Sequence, residues 1–159
     1  DFITVVPNNL YGPHDNFHSE NAHVIPALMR KIHEAKLRNE DVTIWGDGSA
    51  IREFTYSDDA ARAILFLSGN YSGPDPVNIG CTNYLTIKDL VEIICTTIGF
   101  NNKILWDVTK PAGQLKKPSS NDKLNALGWD VGSYTDLSVG IQAMYNWFVE
   151  KYPNVRGVE

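Results

Sequence analysis

Asn9-Leu10-Tyr11-Gly12-Pro13-His14-Asp15-Asn16-Phe17-His18-Ser19-Glu20-Asn21-Ala22-His23 is a polar stretch set between two apolar ones. Before it stands Phe2-Ile3-Thr4-Val5-Val6, a β-branched run closed by Pro7, which fits a buried strand of a parallel sheet. After it, Ile25, Leu28, Met29 and Ile32 recur at helical spacing through residues 23–38, with Pro26 in the first turn, where its missing N–H costs little. One face of that helix is core, and Arg30, Lys31 and His33 are expected off it. A connection holding three of the chain's 4 histidines, at the carboxyl end of a strand, is where an α/β scaffold displays binding groups. The alternative is a long connector.

Working outward, Val42-Thr43-Ile44-Trp45 reads as a strand, Gly46-Asp47-Gly48-Ser49 as a turn, and residues 51–56 as a second strand with imperfect alternation. Ser57 is the expected N-cap of a helix with Asp58 and Asp59 in its first turn, closed by Gly69. Residues 76–80 form another strand. Thr86 caps a helix carrying Ile87, Leu90, Val91, Ile94 and Ile98, which Gly99 ends. Residues 103–106 make a further strand, 110–120 a lysine-rich loop, and 121–127 a short helix ending at Gly128. Thr135 is the expected cap of a last amphipathic helix through Leu137, Ile141, Met144, Tyr145 and Phe148, with Pro153 beyond it. Alternating strands and helices define an α/β class, expected as a small sheet flanked by helices.

The 159 residues suit one domain that hides roughly 70% of its unfolded surface. With 43% apolar and 21% charged residues and no low-complexity run, the chain is expected to be globular. A net charge of −5 argues against general binding to nucleic acid or to a membrane surface, although a local basic pocket could take a phosphate. No apolar run reaches the roughly 20 residues of a membrane span, so a cytoplasmic protein is expected. Cys81 and Cys95 lack metal-type spacing and read as buried reduced thiols; no metal site is expected. A β-branched run with no initiating Met suggests a start inside a larger protein.

Two motifs fall away. Gly46-Asp47-Gly48 lacks the third glycine of a dinucleotide fingerprint, because Ile51 stands there. Tyr84 and Lys88 have the spacing of a Tyr/Lys catalytic pair, but Tyr84 precedes the helix cap Thr86, so the two do not share a helix face.

The segment from Pro7 to His23 resembles the extended short-chain dehydrogenase/reductase superfamily, in which an Asn-Val/Leu-Tyr-Gly-Pro strand end passes under the nicotinamide. More narrowly, Asn9 to Phe17 followed by His23-Val24-Ile25-Pro26-Ala27-Leu28 resembles the GDP-L-fucose synthase family, as its C-terminal half, with weaker matches at 42–54, 110–113 and 142–148. The resemblance implies a substrate portion at 23–159. Residues 1–22 would contribute to the cofactor site, and the NADP-binding Rossmann half would lie outside this chain. It implies epimerisation of GDP-4-keto-6-deoxy-D-mannose at the two carbons beside the ketone, then reduction by NADPH. The ketone acidifies those carbons, and an imidazole, with an ordinary pKa of about 6.5, can take and return their protons near neutrality.

By its place in the motif His23 is the implied acid/base and also meets the cofactor; alone it would read as a helix-terminal histidine. Pro7, Asn8, Asn9 and Leu10 are the implied cofactor-binding segment, or else an ordinary strand-to-loop turn. Lys31, Trp45, Arg52 and Lys117 are implied contacts of the GDP-sugar: cations for diphosphate oxygens and a flat apolar wall. Separately they would be solvated lysines, a core aromatic and a strand-edge cation. His14 and His18 are expected to stabilise the loop. Ala112 departs from the family, which carries an acidic residue there.

Neither a phosphate-binding glycine loop nor a cysteine partner for His23 is present, so the chain alone is expected to be inactive. The full-length enzyme is implied to be a homodimer, with a monomer left open for this piece. The alternatives are another extended short-chain enzyme acting on a different nucleotide-sugar, as epimerase, dehydratase or reductase, and a non-catalytic nucleotide-sugar-binding module.

Overall fold

A computed structural model describes residues 2–110, 115–116 and 118–158. The chain enters as β1 (Val5–Pro7) and β2 (Asn9–Tyr11), then α1 (Val24–Arg38), β3 (Val42–Trp45), β4 (Ile51–Arg52) and β5 (Phe54–Tyr56). It continues through α2 (Ser57–Asn70), β6 (Val77–Ile79), β7 (Leu85–Thr86), α3 (Ile87–Ile98), β8 (Ile104–Asp107), α4 (Asp122–Ala126) and α5 (Leu137–Lys151). Strands pair two by two: β1 with β6, β2 with β5 and β3 with β8 in parallel, β4 with β7 antiparallel. The result is an α/β fold of small, mostly parallel strand pairs flanked by helices.

Asn8 explains why one extended run serves two pairs. Its N–H donates to the Ile79 carbonyl, its Nδ2 to the Cys81 carbonyl at 2.8 Å, and its Oδ1 accepts from Thr55 Oγ1 at 2.6 Å. The side chain thus fastens the chain to the strand it leaves and to the strand it joins.

Two apolar clusters form. The larger gathers the inward faces of α1, α3 and α5 with β3, around Met29, Ile32, Leu90, Ile94, Ile141 and Phe148. The smaller packs α2, α4 and β6 together through Ala63, Leu67, Val77, Ile79 and Leu124. Thr86 and Asp89 make a reciprocal capping box on α3, and Gly99 ends it in the left-handed conformation at φ 69°. At Gly140 a Cβ would fall on the buried Tyr11 ring, so the missing side chain lets α5 approach β2.

The polar stretch is fastened, not loose. Phe17 is fully buried, 4.6 Å between ring centres from Phe148, a burial worth roughly 1.5–3 kcal/mol. Arg30 Nη1 donates to the carbonyls of Phe17 and Gly157, and Phe17 N–H to that of Arg156. His14 lies 4.6 Å from the Trp147 ring, and His18 Nδ1 accepts from the backbone of Glu20 and Asn21. Both histidines hold the loop, as expected.

Four local expectations are corrected. His33 is buried, because α5 packs on that side of α1; its Nδ1 lies 3.0 Å from Tyr145 Oη within a wall of Tyr145, Phe148 and Tyr152. Ser57 does not cap α2: β5 runs directly into the helix, which begins at Ser57 with no side-chain cap on Tyr56. Gly69 does not end α2, which runs to Asn70, where Nδ2 donates to the Phe66 carbonyl. Thr135 is spent on buried Asp59, to which its N–H and Oγ1 donate; Asp136 caps α5 instead, accepting from Ser138 N–H.

Burial lowers the His33 pKa below its ordinary value, against a smaller raising effect from Glu34 and with a further lowering from Lys36. The unfolded chain therefore takes up a proton near pH 6.5 that the folded chain resists. The stability due to neutral His33 is complete above that pH and lost as pH falls below it. Thermal melts from pH 8 to pH 5 are expected to show a falling Tm that is flatter in His33→Leu.

Candidate functional site

Two hollows open beside α1 and adjoin at its first turn. The smaller, about 330 Å³, is lined by Pro7, Asn8, Asn9, Leu10 and His23, with Val24, Ile25 and Phe54 completing its wall. The larger, about 870 Å³, has Lys31, Trp45 and Arg52 on its walls among residues from 19 to 87, and Val24 lines both. All five residues assigned to the cofactor end share one hollow. Three of the four assigned to the sugar-nucleotide share the other. Lys117 lies outside the described residues, as does Ala112 with its neighbours at 111–114.

Local structure fixes each group. The strand-to-helix passage makes His23 the N-cap residue of α1, in extended conformation at φ −66° and ψ 165°, without a side-chain capping bond. Its ring is exposed and, among the described residues, makes no hydrogen bond. It lines the smaller hollow next to Val24, which lines both. Neighbouring α1 positions divide: Arg30 turns to the loop carbonyls and to Glu34 Oε1 at 2.7 Å, whereas Lys31 lies on the exposed side facing the cleft.

Trp45 ends β3 with 65% of its surface exposed, which rules out a core aromatic. Lys110 Nζ stands 5.9 Å from its ring centre, a cation–π contact. Arg52 reaches the cleft from β4 while donating through Nη1 to its neighbour's carbonyl at Ile51. A flat aromatic face and three cations on one cleft, Lys31, Arg52 and the Glu34-paired Arg30, suit an anionic ligand with a planar part.

In the smaller hollow the asparagine side chains hold the walls. Asn8 is bonded at both ends, and Asn9 Nδ2 donates to the Glu53 carbonyl at 2.8 Å, while Asn9 Oδ1 accepts no bond among the described residues. Apolar Leu10, Pro7 and Phe54 leave a slot suited to a flat ring, with few polar points to orient it.

Sequence reading missed Glu53, a carboxylate only 1% exposed that accepts from Ser119 N–H and Oγ and from Asn8 Nδ2. Its signal was a glutamate beside Arg52 in the imperfectly alternating run at 51–56, where it falls in the break between β4 and β5. The dismissed motifs stay dismissed. Gly46 and Gly48 sit at φ 82° and 77° in a tight turn, and Tyr84 precedes α3 with Lys116 Nζ 4.2 Å from its ring centre. Cys81 and Cys95 are free but only half-buried; burial raises both thiols, Cys95 to about 11. Among the described residues no cluster of three or more His, Cys, Asp or Glu could hold a metal ion, and no helix is long and apolar enough to cross a membrane.

Fold and clefts together define an α/β module with two adjoining hollows beside α1. The model of the NAD dependent epimerase/dehydratase family matches residues 1–80, and the chain belongs to that family. Curated relatives include a probable GDP-L-fucose synthase 1 of Oryza sativa subsp. japonica, 45% identical over 94% of this chain and 45% of its own length. GDP-L-fucose synthase 1 of Arabidopsis thaliana is 46% identical over 97% of this chain and 47% of its own. Among solved structures, a GDP-L-fucose synthetase from Naegleria fowleri bound to NADP superimposes with a TM-score of 0.91 at 35% identity, covering 98% of this chain and 47% of that one. The chain spans about half the length of the curated relatives it matches.

Proposed function

We propose that this chain is the substrate-binding part of an NADPH-dependent enzyme that converts GDP-4-keto-6-deoxy-D-mannose to GDP-L-fucose by epimerisation beside the ketone and reduction of it. The observation that carries this reading is the cleft walled by Lys31, Trp45 and Arg52, joined at Val24, next to His23, to the smaller, ring-sized hollow. The names of the relatives supply GDP-L-fucose as product, and the NADP-bound solved structure supplies the cofactor. On this reading residues 1–22 serve the cofactor side and residues 23–159 the substrate.

Lys31 and Arg52 neutralise the diphosphate, and Trp45 gives a planar surface to the nucleotide-sugar. The ketone makes the hydrogens on its neighbouring carbons acidic. His23, exposed beside the hollows, takes or returns a proton at such a carbon, and an acid from the other half of the full-length enzyme exchanges the proton on the opposite face of the enolate. The residues of the smaller hollow fit a nicotinamide ring, packed by Pro7, Leu10 and Phe54 with Asn9 Oδ1 as an acceptor for its amide. NADPH, when bound, supplies the hydride that reduces the ketone.

Full-length protein given the keto-sugar and NADPH is expected to oxidise NADPH and release GDP-L-fucose, while the 159-residue chain alone oxidises none. A full-length protein inactive on this sugar but active on another nucleotide-sugar would contradict the assignment, as would turnover by the chain alone.

A further inference from the structure

Glu53 sits between the two hollows without lining either. Its carboxylate accepts Ser119 N–H at 3.1 Å and Ser119 Oγ at 2.5 Å, and Asn8 Nδ2 approaches it at 3.5 Å. Its carbonyl accepts from Asn9 Nδ2. One residue thus binds the end of the lysine-rich loop to the segment that walls the smaller hollow. On the other side of Arg52, Ile51 N–H donates to the Leu115 carbonyl at 2.8 Å, and Ile51 bridges Lys116 in parallel. The returning segment is therefore fastened to the strand on both sides of Arg52.

Three donors converge on Oε2 of a group that is 1% exposed, and Oε1 also lies 3.3 Å from Ser119 N, so the Ser119 N–H faces both oxygens. A glutamine would present one oxygen and turn an N–H₂ toward a donor, leaving a buried polar group unmatched.

We propose that Glu53 is a positioning residue of the nucleotide cleft: by holding Ser119 beside Asn8 it fixes Ser119, as Ile51 fixes Leu115 and Lys116, against the strand carrying Arg52, and so sets the affinity for a nucleoside diphosphate that it never touches. This rests on the reading of the larger cleft given above.

The test compares the wild-type chain with Glu53→Gln, Ser119→Ala and the double variant, by calorimetric titration with GDP and by amide exchange. Wild type is expected to bind GDP and to protect the Ser119 amide. Glu53→Gln is expected to lose that protection and about tenfold in GDP affinity, with its circular dichroism retained. The double variant is expected to lose no more than Glu53→Gln, because both changes cut the same tie. A Glu53→Gln that keeps Ser119 protected would overturn the tie, and one that loses protection at unchanged GDP affinity would overturn its role in binding. Additive losses in the double variant would also contradict it. Should Glu53→Gln unfold, Ser119→Ala alone must lower GDP affinity or the proposal fails. Wild type without GDP affinity would refute the cleft assignment, and with it the role in binding, while exchange at Ser119 would separately decide the tie.

Discussion

His23→Asn in the full-length enzyme is expected to slow incorporation of solvent deuterium at the carbons beside the ketone by about 10²- to 10⁴-fold. The imidazole is exposed beside the two hollows and, among the described residues, makes no hydrogen bond. Asparagine keeps a polar side chain at a helix N-cap, where it is well tolerated, and removes the imidazole that would carry the proton. Melting temperature and GDP affinity are therefore expected to stay close to wild type. NADPH oxidation on a sugar already epimerised is expected to persist. Deuterium exchange at the wild-type rate in His23→Asn would remove His23 from the chemistry.

Arg52→Ala is expected to weaken GDP binding by about ten- to a hundredfold, the loss of a charge-assisted contact to diphosphate oxygens. Added salt should narrow the gap between variant and wild type, since screening weakens the remaining attraction in both. Because Arg52 also donates to the Ile51 carbonyl, Lys31→Ala supplies an independent check from another element. It is expected to lower GDP affinity in the same direction, by less, since lysine acts as a point charge and not as a bidentate fork. Titration calorimetry with GDP measures both, and unchanged affinity in both variants would move the diphosphate elsewhere.

Much of this was legible in the residues. The helical spacing of Ile25, Leu28, Met29 and Ile32 found α1, and all four are buried. The Thr86 cap and Gly99 stop of α3 held because both signals are local: a side chain reaching three residues ahead and a glycine in a left-handed turn. The motif from Pro7 to His23 located the smaller hollow, since one continuous strand-to-helix passage builds most of it.

What escaped is long-range. Nothing near Thr135 tells that Asp59, on another helix, will claim its donors and pass the capping of α5 to Asp136. His33 reads as outward on its own helix and becomes buried only when α5 arrives. Nothing within residues 51–56 marks Glu53 as buried, and only the return of Ser119 across the fold shows what its carboxylate holds. The pairing of β1 with one strand and β2 with another likewise depends on Asn8 meeting Thr55 and Cys81.

The most direct measurement is a GDP titration of the isotopically labelled chain followed by NMR. The account predicts saturable shifts confined to the walls of the larger cleft, above all the Trp45 indole and the amides of Lys31 and Arg52, with His23 shifting less and α4 not at all. No saturable shift, or shifts centred away from Lys31, Trp45 and Arg52, would contradict it.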